Sequence, residues 1–129
     1  MHRFPSIDEL KYLVGTSVTQ ITIDPYQVCF LLTDNQAGTT LTSEYAFEFK
    51  RSNGQIDVHR PHQKSSSFGP SHIHELLDDT LLAINLSPDA LRLCLSFARG
   101  SQLTILSQLD AYEAGHIACG GGSQKYWVF

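Results

Sequence analysis

Long apolar runs are missing from this chain. Nowhere in its 129 residues is there the stretch of ~20 apolar residues that a membrane-spanning helix needs, so none is expected. Cysteine is scarce. Cys29, Cys94 and Cys119 make an odd number without a CxxC pair, which excludes a disulfide framework and reads as reduced thiols. Basic charge is also short: nine Lys and Arg stand against 13 Asp and Glu, for a net charge of −4. Residues 1–65 carry −1 and residues 66–129 carry −3. A general nucleic-acid binder needs a basic face to displace counterions, so that class is excluded. The opening MHRFPSIDELKYL has no apolar h-region and does not read as a signal peptide, so a cytoplasmic location is expected. Catalytic signatures are lacking: there is no GxSxG elbow, no P-loop, and no GxGxxG after a strand. Gly120 to Ser123 is glycine-rich but precedes a strand-like segment, so it has no helix N-terminus to bind a phosphate. Neither an enzyme nor a cofactor is expected.

What is present is a globular composition, 42% hydrophobic and 17% charged, arranged twice. Leu13 to Leu32 reads LVGTSVTQITIDPYQVCFLL, and sixty-three residues later Leu76 to Leu95 reads LLDDTLLAINLSPDALRLCL. Apolar positions, turn and proline coincide without a gap. Each half opens on Pro-Ser. Ser6 stands three residues before Glu9, a capping-box spacing, and Ile7, Leu10, Leu13 and Val14 follow at helical spacing up to Gly15. Ser71 begins a second, roughly two-turn helix with Ile73, Leu76 and Leu77 as its stripe. Thr19, Ile21 and Ile23 alternate, matched by Leu82, Ile84 and Leu86, and read as half-buried strands. Asp24-Pro25 and Ser87-Pro88 turn the chain. Val28, Phe30 and Leu32 form the return strand, matched by Leu91, Leu93, Leu95 and Phe97. Leu41 and Ser43 match Leu103 and Ile105 as a third strand. Ala46-Phe47-Glu48 lies against Ala111-Tyr112-Glu113 as a fourth.

These patterns predict an α+β fold, mostly antiparallel β, in which two similar helix–strand–turn–strand–strand–strand halves share one core. Residues 1–129 are read as a single domain, with pseudo-repeats 5–50 and 70–118. A connector covers 51–69, with room for a short strand at Ile56 to Val58, and a C-terminal strand covers 125–129. Two sheets packed face to face, or one curved sheet, satisfy this pattern.

Residues capable of chemistry are scattered. His59, His62, His72 and His74 have no third ligand at a recognisable metal spacing, so no metal is expected. Asp8-Glu9 and Asp78-Asp79 are sequence neighbours and do not converge as an acid/base pair must. Glu48 and Glu113 fall at equivalent places in the repeat. Lys50, Arg51, Arg60 and Lys64 form the one basic concentration, without interleaved aromatics for base stacking.

Val14-Gly15 ahead of a strand, the central strand pair, Tyr112-Glu113-Ala114, and the late Gly120-Gly121 with Trp127 resemble a bacterial family of small two-repeat proteins. Members of that family look like polymorphic-toxin immunity proteins. Gly115 departs from the family pattern, which places an aromatic residue there. The resemblance implies a cytosolic, non-catalytic protein that neutralises a cognate toxin by protein–protein contact. Asp78, Asp79, Asp89, Asp110 and Glu113 are the charge-selected candidates for that contact. The alternatives are a self-associating structural module, and a small metal- or ligand-binding domain using the histidines.

Overall fold

The computed structural model describes residues 3–61, 72–108, 113–119 and 125–129. Helix α1 (Ile7–Leu10) begins with the reciprocal cap written in its sequence. Ser6 Oγ accepts from Glu9 N at 3.3 Å, and Ser6 N donates to Glu9 Oε2 at 3.0 Å. The helix tightens into a 3₁₀ turn, Lys11–Leu13, and Leu10 and Leu13 are both buried. In the second half the expected two-turn helix is a single 3₁₀ turn, Ile73–Leu76. Its predicted Pro70-Ser71 start lies outside the described residues.

Among the described residues, ten strands follow the expected antiparallel pattern. The first half supplies β1 (Ser17–Ile23), β2 (Val28–Thr33), β3 (Gly38–Ser43), β4 (Ala46–Lys50) and β5 (Ile56–His59). The second supplies β6 (Leu81–Leu86), β7 (Arg92–Phe97), β8 (Gln102–Leu106), β9 (Gly115–Cys119) and β10 (Lys125–Val128). They form two five-stranded sheets, ordered β1-β2-β3-β9-β10 and β5-β4-β8-β7-β6. Each sheet is thus a three-stranded meander from one half completed by a strand pair from the other. A single cluster of buried side chains draws on both sheets, with the Phe30 and Phe47 rings meeting edge to face at 5.5 Å across it.

The repeat is a local twofold. Ser17 forms an antiparallel bridge to Thr80, its own equivalent sixty-three residues on, and their hydroxyls lie 3.1 Å apart. Around this bridge the backbone bonds come in matched pairs. Gly15 N donates to Leu81 O and Asp78 N to Val18 O, both at 2.8 Å. Leu81 N donates to Thr16 O at 2.8 Å and Val18 N to Asp79 O at 3.1 Å. Gly15 and Asp78, also equivalent, both take positive φ, 96° and 66°.

Three details of the repeat differ from the sequence reading. Both first strands carry a register shift at equivalent places, between Val18 and Gln20 and between Leu81 and Ala83. The extra residue reverses the alternation, so Val18 and Leu81 point inward while Thr19 and Leu82 are exposed. Ile21 and Ile84 return to the core as expected, and Ile23 is exposed. Second, pairing of Ile23 with Val28 but of Leu86 with Leu93 gives the second hairpin a loop two residues longer. Phe30 therefore corresponds to Leu95 and Cys29 to Cys94, and the match is not gapless. Third, the equivalent residues Leu41 and Leu103 pair with Ile117 and Phe49. Ala46-Phe47-Glu48 hence corresponds to Ala114-Gly115-His116, three residues beyond the expected match at Ala111-Tyr112-Glu113, whose first two residues lie outside the described ones.

At Gly115 the absent side chain has a reason. A Cβ there would fall within 2.5 Å of Phe129 Cζ and closer still to the Thr42 carbonyl oxygen. The fully buried Phe129 ring occupies the space that a side chain at Gly115 would enter, and it stacks on Phe4 with centroids 4.3 Å apart.

Candidate functional site

The charge-selected acids separate into different roles. Asp79 is buried, 2% exposed. Its Oδ1 accepts from Thr80 N at 3.0 Å and Arg99 N at 3.1 Å, and its Oδ2 lies 3.4 Å from Arg99 Nε. It anchors the β7–β8 turn and offers nothing to a partner, because its oxygens are withdrawn from solvent. Asp89 is exposed, but its carboxylate is held in the β6–β7 turn by the Ser87 hydroxyl at 2.6 Å and Leu91 N at 3.0 Å. Those bonds hold its pKa below the usual carboxylate range. Asp78 and Glu113 are exposed, but the fold does not bring them together. Asp78 adjoins Val18 at the start of β1, and the ladder runs from Val18 through Leu32 to Thr39 at the start of β3. Glu113 precedes Gly115, which pairs with Ser43 at the opposite end of β3. Asp110 lies outside the described residues.

The histidines also diverge. His59 is buried, its ring stacked on Phe47 at 4.7 Å, and burial pushes its pKa below the ordinary imidazole value. His72 Nδ1 lies 3.0 Å from Asp57 Oδ2, a contact that lowers the Asp57 pKa. His74 is exposed, and His62 lies outside the described residues. Of the basic concentration, Arg51 is bonded in fork geometry to Glu75, at 2.8 and 3.0 Å, which holds the Glu75 pKa down. A shallow pocket of about 240 Å³ beside this pair is lined by Ser52, Glu75, Arg99 and Ser101. Its charged groups are already engaged: Glu75 with Arg51, and Arg99 with Asp79 and the Glu75 and Leu77 carbonyls. Among the described residues that line it, Glu75 is the one carboxylate.

Two features were not read from the sequence. The first is a cluster of Glu44, Glu113 and His116, each offering a donor atom within 4.8 Å of the others. Glu44 lies in the β3–β4 turn and Glu113 just before β9. Glu44 N and Tyr45 N both donate to the Ala114 carbonyl, at 2.8 and 3.1 Å, which fastens the two segments together. The donors come from opposite halves of the chain, and no spacing rule connects them. The second feature is the pair of sheet edges. Edge strand β5 exposes Ile56 (56%) and Val58 (54%), and its counterpart β10 exposes Tyr126 (61%). The expected short strand in the connector is real, but its apolar residues face water.

No family model, no curated protein and no solved structure matches this chain.

Proposed function

We propose that the protein is a non-catalytic binding protein, a cytosolic immunity protein that neutralises a cognate bacterial toxin domain by protein–protein contact. The observation that carries the binding half of this reading is the edge strand β5. Among the described residues it ends one sheet, and it presents two β-branched apolar side chains, Ile56 and Val58, each more than half exposed. A sheet edge offers unpaired backbone groups that an incoming strand extends, with alternate side chains supplying specificity. The outward cross-strand neighbours of Val58 and Ile56 are Glu48 and Lys50, and Glu48 is paired with Arg92 at 3.1 Å. An apolar strip beside charged residues is the make-up of an interface core with a polar rim. The toxin as partner is supported by the resemblance carried by Val14-Gly15, Tyr112-Glu113-Ala114 and the closing Trp127. Glu113 and Asp78 remain available as acidic contacts, whereas Asp79 and Asp89 serve the fold.

The test uses the purified full chain and the toxin-like product encoded beside it. A 1:1 complex that blocks toxicity is expected, and Ile56→Asp with Val58→Asp weakens it at least about tenfold. A neighbour that is neither toxic nor bound sinks the reading. Light scattering on the protein alone separates the alternative. A dimer that Ile56→Asp dissolves would assign the same edge to self-association.

A further inference from the structure

We infer that Glu44, Glu113 and His116 form a binding site for a divalent transition-metal ion. This does not rest on the function proposed above. The three donor atoms lie within 4.8 Å of one another. Donors about 2.1 Å from a tetrahedral Zn²⁺ stand about 3.4 Å apart, so small side-chain rotations close the gap. An imidazole with two carboxylates suits Zn²⁺ and its first-row neighbours and leaves a coordination position for water or a partner's group.

Two independent features favour a cation over a solvated surface cluster. The first is the scaffold. His116 is fixed in a strand between Thr42 of β3 and Val128 of β10, and its ring stacks on Tyr126 at 5.3 Å. The Ala114 carbonyl clamps Glu44 to the segment carrying Glu113, and the Ala114 and Gly115 N–H groups, which both donate to the Phe129 carbonyl, fix the chain between Glu113 and His116. The ligands thus sit on backbone that is already ordered. The second is charge. Two carboxylates approach one another and, among the described residues, neither has a Lys or Arg ion-pair partner. Like charges at this separation repel, and a cation between them removes that repulsion. The other half shows the contrast. Glu48, the counterpart of His116, has its own arginine, Arg92.

Calorimetry with Zn²⁺ and visible absorption with Co²⁺, on the untagged full chain, test this. One ion per chain is expected, with the Co²⁺ spectrum of a low-coordinate site containing nitrogen. His116→Ala, Glu44→Gln and Glu113→Gln should each weaken the affinity by more than about tenfold. Glu113 is exposed, so Glu113→Gln keeps the test valid if His116→Ala disturbs β9; metal-free melting of each variant checks the fold. Absence of binding at millimolar Zn²⁺ overturns the site. Binding unchanged in Glu113→Gln and Glu44→Gln overturns it as well, by moving the ion to the other histidines.

Discussion

At Asp78 the backbone turns through φ 66°, the conformation its counterpart Gly15 adopts at 96°. A left-handed L-residue is strained by roughly 1–2 kcal/mol, less for Asp than for most. Its neighbour Asp79 is buried and accepts from two backbone N–H groups. Opposite outcomes are therefore expected from adjacent carboxylates. Asp78→Gly should leave stability unchanged or raise it by up to about 1 kcal/mol, since glycine relieves the strain. Asp79→Ala should lower it by about 2–4 kcal/mol, because the Thr80 and Arg99 amides lose their acceptor and half-exposed Arg99 its partner. Urea denaturation of both variants measures this. Similar losses in the two would refute the equivalence of Asp78 with Gly15. The sequence shows two acids at a helix end, and nothing in their type separates the turn residue from the buried anchor. Only the repeat register, with Gly15 opposite Asp78, holds that information.

Among the elements, β5 and β10 correspond, and His59 at the end of β5 stands where Phe129 follows β10. His59 lies opposite Phe47, and Phe129 lies opposite the equivalent residue, Gly115. His59 is thus an imidazole in an aromatic position, its pKa lowered by burial. An unfolded His protonates near pH 6.5. With the folded value depressed, the stability tied to neutral His59 is complete above about 6.5 and is lost as pH falls from there toward the folded value. His59→Phe removes that loss. Its melting temperature relative to the parent protein should accordingly be higher at pH 5 than at pH 7.5. An equal difference at both pH values would mean that His59 is not held neutral. Much of this architecture was legible. The capping box at Ser6 and Glu9, the inward alternation of Val28, Phe30 and Leu32, and the Leu41/Leu103 match follow from local chemistry and period. The bulges after Val18 and Leu81 were not, because one inserted residue inverts a strand's faces without altering its composition. Nor was the short second helix, whose Ile73 and Leu76 fit one 3₁₀ turn as readily as two α turns. The Glu44–Glu113–His116 cluster was invisible for another reason: sequence patterns do not report which sheet a strand joins.

At the scale of the whole molecule, the exchange of strands decides how the halves depend on one another. The meander β1-β2-β3 is extended by β9 and β10, and β6-β7-β8 by β4 and β5. Neither half can complete a sheet alone. Separated, each would expose the faces now covered by Phe30, Phe47, Leu95 and Phe129, all buried in the intact chain. A five-stranded fragment with one helical turn would also lack the Ser17–Thr80 junction where the two halves bond across the local twofold. Fragments 1–65 and 66–129 are consequently expected to lack cooperative thermal unfolding when purified separately, and to regain it as a 1:1 complex on mixing. Near-UV circular dichroism and gel filtration read both states. Either fragment melting cooperatively as a monomer would show that a half holds a sufficient core of its own, and that the sheets are not interdependent.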